Sequence, residues 1–240
     1  MLPRLWVFLA VYVCAAGLEP GRGNASPPMF ASPQPAAFAP VAKSLDRPPA
    51  AWPDYCVRHS DDCQPHLDQP LTVTLTPELF VKLAAVDLAV NGSVRPLTDW
   101  EHWGVEDHWD LAEDGYGDCE DYQLLKRKRL VDAGVPRRTM LITVVHDEDD
   151  SGHAVLMIRT NFGDLILDNR TDDIMFWKDT GYRFVQRESQ YATGWVDIED
   201  LPETTVLVAG ATRSGITETT AVRARFNADL PKRTTIGLQH

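Results

Sequence analysis

Positive charge is in short supply in this sequence. Lysine and arginine number 23 against 35 aspartates and glutamates, a formal net charge of -12. Nucleic acid is disfavoured as a partner, because its phosphates would be repelled, and so are anionic lipid surfaces. Long apolar runs are also lacking. Only residues 5–16 form one, and that run is too short to span a bilayer comfortably. Arg4 before it and small residues after it give the pattern of a secretory signal, with cleavage expected after Ala25. A lipid anchor at Cys14 is disfavoured, since Val13 stands where a small residue is wanted. The mature chain is expected to be soluble, in the periplasm or secreted. Internal repeats are absent, and the last thirty residues lack apolar patterning, so 211–240 reads as a polar tail.

Cysteine is scarce too, with four in 240 residues. Cys14 leaves with the signal. Cys56 and Cys63 lie close together in a chain bound for an oxidising compartment, and a bridge between them is expected. Cys119 is then left alone. A buried structural thiol is the plain reading of such a residue; a reactive one is the alternative.

Apolar and charged fractions of 44% and 24% are ordinary for a globular protein, and the length suggests one domain plus appendages. Eight of the 17 prolines fall in 26–53, which reads as a linker or a strap across the surface. The folded domain is expected over 54–210, beginning near Trp52. "LTVTL" (71–75) alternates like a short strand. Thr76-Pro77-Glu78 opens a helix whose Leu79, Leu83, Val86 and Val90 recur at helical spacing until Asn91-Gly92. The stretch 98–117 has no clear period; its Trp100, Trp103 and Trp109 either wall a cleft or pack at the core edge. A second helix runs from about Asp118 to Ala133, stopped by Gly134. Its Lys126, Arg127, Lys128 and Arg129 suit the helix dipole. Strands follow at 139–146, 153–160 and 164–169, then at 182–188 and 204–210.

Chemistry concentrates in "GDCEDY", residues 117–122. Cys119 stands where a helix begins, and free N–H groups there favour a thiolate. A nucleophilic thiol needs a base, and the base an orienting acceptor. His153 opens one strand and Asp168 closes the next, so a hairpin around "NFGD" sets both at its open end, facing the helix. His59, His102, His108 and His146 compete for the base role, and Asp168 also reads as a turn residue. The order Cys, His, Asp on a helix and a hairpin is the more specific signal. A zinc site from the same three residues is a rival. Asp118, Glu120 and Asp121 crowd the thiol and would raise its pKa. On the residues alone, these acids read as helix N-terminal charges pointing to solvent.

"GYGDCEDYQLLKRKRL", "GHAVLMIRTNFGDLILDN" and the preceding "HWGVEDHW" resemble the bacterial transglutaminase-like cysteine proteinases, which include periplasmic LapG-type proteases. The resemblance runs over roughly residues 100–195. It implies an α+β, papain-like fold in its transglutaminase variant, with the nucleophile helix packed on an antiparallel sheet. It implies Cys119 as nucleophile, His153 as general base and Asp168 as orienting acid. It also implies Ca2+ held by Asp118, Glu120 and Asp121. That cation would neutralise the acids around the thiol, with Glu106, Asp107, Asp110 and Asp114 as candidate further ligands. For partners it implies a protein substrate such as a large surface adhesin, and an inner-membrane receptor controlled by cyclic-di-GMP. The proline-rich front and the Cys56/Cys63 pair depart from those members. Acyl transfer to an amine and a non-catalytic calcium-binding module remain the rival functions. The oxyanion donors expected are the Cys119 backbone N–H and one group from the tryptophan loop.

Overall fold

The computed structural model describes residues 38–199. The expected signal, the first part of the proline-rich segment, the strand at 204–210 and the tail lie outside the described residues. No helix among the described residues is long and apolar enough to cross a membrane.

The chain enters along the sheet edge. Ala39 is buried, Val41 bridges to Ile198 and Asp46 to Trp195. A short helix follows, α1 (Trp52–Arg58), which no sequence period revealed. Pro53 sits in its first turn, and Trp52 and Tyr55 turn into the core. Cys56 and Cys63 are bonded, as expected, and close a loop at the end of this helix. A loop this short restrains the unfolded chain modestly. Replacing both cysteines with serine is expected to cost about 2–3 kcal/mol, read as a lower denaturant midpoint; an unchanged midpoint would contradict it.

The "LTVTL" segment supplies one bridge and no strand. Val73 pairs with Thr160 alone, because Pro77 starts a helix only four residues later. That helix, α2 (Pro77–Ser93), is capped by Thr76, whose hydroxyl accepts the Leu79 N–H at 3.2 Å. Leu83 and Val90 are buried and Leu79 and Val86 pack beside them, the stripe read from the sequence. It is followed by β1 (Arg95–Pro96), α3 (Asp99–Trp103) and β2 (Tyr116–Gly117), where β1 and β2 pair in parallel. The long helix α4 (Cys119–Asp132) comes next, ending before Gly134, whose φ of 84° is left-handed.

Six strands then build one sheet: β3 (Met140–His146), β4 (Gly152–Thr160), β5 (Gly163–Leu167), β6 (Met175–Phe176), β7 (Arg183–Glu188) and β8 (Trp195–Asp197). Their order is β6-β5-β4-β3-β7-β8, and each neighbouring pair is antiparallel. The chain is thus α+β, with α4 laid across β4 and β3 and α2 packed on α4. Residues alternate across the sheet. Ile142, Leu156, Ile158 and Leu165 face α4, while Leu141, Val155, Met157 and Ile166 face the other way with Ala39 and Ile198.

Two of the four residues in the basic run of α4 are out of solvent. Lys126 and Arg127 are wholly buried. Lys126 meets Asp87 of α2 at 2.7 Å. Burial pushes Asp87 up to about 6 in spite of that lysine. Arg127 lies between Glu188 of β7 and Asp62 of the disulfide loop, and Arg137 grips the same two carboxylates. The two guanidiniums outweigh burial and hold Asp62 well below the usual carboxylate range. Removing one partner from such a buried set costs about 3–5 kcal/mol, because the other charges stay buried without it.

Candidate active site

The N-terminus of α4 is built by its own sequence. Asp118 caps the helix, and Asp121 folds back to accept the Asp118 N–H at 3.3 Å. Asp121 can do so only beside a glycine: a Cβ on Gly117 would stand 2.7 Å from its side chain. The other Asp121 oxygen accepts the Asp110 N–H at 2.7 Å, which pins the preceding loop to the helix.

Cys119 is the first residue of α4, unpaired and partly buried. Its thiol donates to Glu120 Oε2 at 3.2 Å and accepts from the Ala154 N–H. Burial pushes this thiol well above its ordinary range, and the Glu120 and Asp118 carboxyls push it further; the Ala154 amide alone pulls it down.

The packing of α4 on β4 sets the thiol beside the strand that His153 opens. The β4–β5 register runs from Thr160↔Gly163 at the turn to Leu156↔Leu167. His153 and Asp168 therefore meet at the open end, as the hairpin reading expects. His153 Nε2 and Asp168 Oδ1 are 2.8 Å apart, with both side chains about 1% exposed. Burial tends to raise the Asp168 pKa, but hydrogen bonds from His153 and Tyr182 outweigh it and hold the carboxyl below its usual range. The competing histidines lie elsewhere: His102 pairs with Asp114 and His146 with the Asp150 carbonyl, while the His108 ring meets Trp103 at a tilt. The zinc arrangement does not assemble, since no metal-compatible group among the described residues joins Cys119 to His153 or Asp168.

The acids do not all point to solvent. Asp118, Glu120 and Asp121 join Asp99 and Asp107 in overlapping groups whose ligand atoms lie within 4.8 Å of one another. Asp99 Oδ1 and Asp118 Oδ1 are buried with no hydrogen-bond partner among the described residues. Burial raises Asp99 and Glu120, and lifts Asp121 to about 8. An oxygen-rich cluster with orphaned buried oxygens and no local cation fits a hard divalent ion. Of the further candidates, Asp107 is in the cluster. Asp110 contributes its backbone N–H, Asp114 is taken by His102, and Glu106 is outside it. Asp99 escaped the sequence reading because α3 has no apolar period. The capping box of Thr98 and Glu101 is the signal that would have placed it at a helix start.

The tryptophans divide. Trp109 is buried against Trp195, with its Nε1–H on Asp107, while Trp100 and Trp103 are exposed. Tyr182, which carried no sequence signal, donates its hydroxyl to Asp168 Oδ2 at 2.6 Å.

Comparison with known proteins gives the same family as the motifs. Three structures of LapG from Legionella pneumophila are similar. The calcium-bound one is 25% identical over 55% of this chain and 76% of its own, with a TM-score of 0.45. A second LapG and the EGTA-treated form are each 27% identical over 48% of this chain, covering 67% and 66% of theirs, with TM-scores of 0.41. No curated protein matches. The profile of the bacterial transglutaminase-like cysteine proteinases matches residues 42–203, most of the chain. With its α4-bearing antiparallel sheet and its free Cys119, the chain belongs to that family and is a cysteine peptidase.

Proposed function

We propose that this chain is an exported, calcium-dependent endopeptidase that cuts a surface or periplasmic protein, such as an adhesin, with Cys119, His153 and Asp168. The buried His153–Asp168 hydrogen bond, beside a thiol that accepts from the Ala154 N–H, carries the reading. With Nε2 held by Asp168, Nδ1 is the ring atom left to take the thiol proton. The sulfur attacks the peptide carbonyl, and the resulting oxyanion is met by the Cys119 backbone N–H, one of the unpaired donors of a helix start. The imidazolium gives its proton to the leaving amine, which departs. Water, deprotonated by His153, then attacks the thioester; the acid product leaves and the thiol is restored. Asp168 keeps the imidazole oriented and stabilises it when charged.

Asp99, Asp107, Asp118 and Glu120 would hold the calcium, with Asp121 fastening the loop around them. The bound ion would supply the positive charge that offsets the acids crowding Cys119. Export is supported by the N-terminal apolar run and by the Cys56–Cys63 bridge. A membrane receptor that restrains the protease is the corresponding partner. The test compares the N-termini of exported proteins from cells carrying the native chain and Cys119→Ala. Discrete new N-termini should vanish in the variant. Identical N-termini in both strains, or amine adducts in place of cut ends, would overturn the endopeptidase reading.

A further inference from the structure

The carboxylate of Asp168 is held at more points than orienting one imidazole requires. Oδ1 faces His153 Nε2 and also accepts the Arg170 N–H at 3.1 Å, and Asn91 Nδ2 holds the Asp168 carbonyl at 2.9 Å. Oδ2 accepts from the Tyr182 hydroxyl at 2.6 Å, and the Arg170 guanidinium, paired with Asp147, adds a positive charge beside that hydroxyl. A hydroxyl has one proton, and an ionised carboxylate can only accept. The Tyr182 proton is therefore committed to Asp168. The Tyr182 ring meets the His153 ring edge-on, with centroids 5.6 Å apart. The sheet itself delivers this residue: Tyr182 immediately precedes β7, whose Phe184 pairs with Val145, which pairs with His153.

We propose that Tyr182 is a positioning residue of the catalytic array, fixing the Asp168 carboxylate and covering the His153–Asp168 bond, with the Arg170 charge beside its hydroxyl. The proposal rests on the triad reading above. Removing the hydroxyl would concentrate the negative charge of Asp168 on the oxygen facing the imidazole. The carboxylate would then hold the imidazolium more strongly, so His153 would titrate at higher pH. The other charges near Asp168 are the buried Lys126–Asp87 pair and Asp172, and neither variant below alters them. Asp147 balances Arg170 at 2.7 Å.

The experiment uses the full chain with Tyr182→Phe, which keeps the ring. The titration of His153 is followed by NMR of the 15N-labelled imidazole on a Cys119→Ala background. Hydrolysis of p-nitrophenyl acetate is followed on the native thiol. The expected results are a kcat about tenfold lower, a KM within about twofold, and a His153 midpoint roughly half a pH unit higher. Arg170→Gln should move both readouts the same way and less far; because Arg170 is largely exposed, this variant carries the test if Tyr182→Phe does not fold. An unmoved His153 midpoint, whether or not the melting temperature falls, would assign Tyr182 to packing alone and overturn the proposal. Asp168→Asn, run in parallel, separates the two failures. Its full activity would overturn the triad and this inference with it. An inactive Asp168→Asn beside an unchanged Tyr182→Phe would overturn the inference alone.

Discussion

Cys119→Ala is expected to leave a folded protein with no peptidase activity. The cap of α4 comes from Asp118 and Asp121, and neither needs the thiol, so a methyl group at the first helical position should not disturb the helix. Asp168→Asn should lower kcat by roughly 10³–10⁴ while keeping the fold. An amide presents the imidazole with a group that cannot stabilise its charged form, and it can hold the ring in the wrong tautomer. The measurement is single-turnover cleavage of the substrate found by the N-terminal comparison, with circular dichroism to confirm the fold. Full activity in either variant would sink the mechanism.

The second large effect concerns the acids. Asp121 loses its proton at about 8 in the folded chain, against an ordinary value of 3.8, because it is buried among other carboxyls. Between those values the folded chain keeps a proton that the unfolded chain has lost, so stability falls as pH rises from about 4 to 8. A single group shifted this far can contribute at most about 6 kcal/mol, and solvent and relaxation reduce that figure. Protein treated with a chelator should therefore melt lower at pH 8 than at pH 5.5. Calcium should flatten the difference by compensating the ionised acids, and it should restore activity better than magnesium, which demands a tighter octahedral shell. Glu120→Ala should lose both calcium binding by calorimetry and activity. If calorimetry detects no binding and the chelated enzyme cuts at its normal rate, the cation has no role and the crowding of acids around Cys119 is again without a cause.

Much of this site is written locally, and those parts could be read from the sequence. Cap residues, the 3.6-residue stripe of α2 and the β-branched runs of β3 and β4 each act over a few positions, so their signals survive in one dimension. His153 and Asp168 could be paired because a tight turn fixes a hairpin's register, and the register fixes its open end. Asp99 and Tyr182 could not. Each reaches the site from a different element, and the Thr98–Glu101 box, which marks a helix start at Asp99, says nothing of what that side chain meets. The burial of Lys126 and Arg127 was hidden for a related reason. Basic residues late in a helix are usually solvated, and only Asp87, Asp62 and Glu188, from three distant segments, make their burial tolerable. Helix α1 was invisible because seven residues hold too little period to detect.

Asp62 ties the disulfide loop to the nucleophile helix. It is the residue next to Cys63, and it is held there while it binds both Arg127 and Arg137. The same loop reaches toward the acid cluster, where Arg58 bonds the Trp109 carbonyl, and ahead of the loop the Ala51 N–H bonds Asp107. A chain whose two cysteines are still reduced would have to hold a fully buried guanidinium with a carboxylate on an untethered loop. Helix α4 and the acid cluster at its start would loosen together. Opening the Cys56–Cys63 bridge would then be felt at the start of α4 as well as in the loop that the bridge closes.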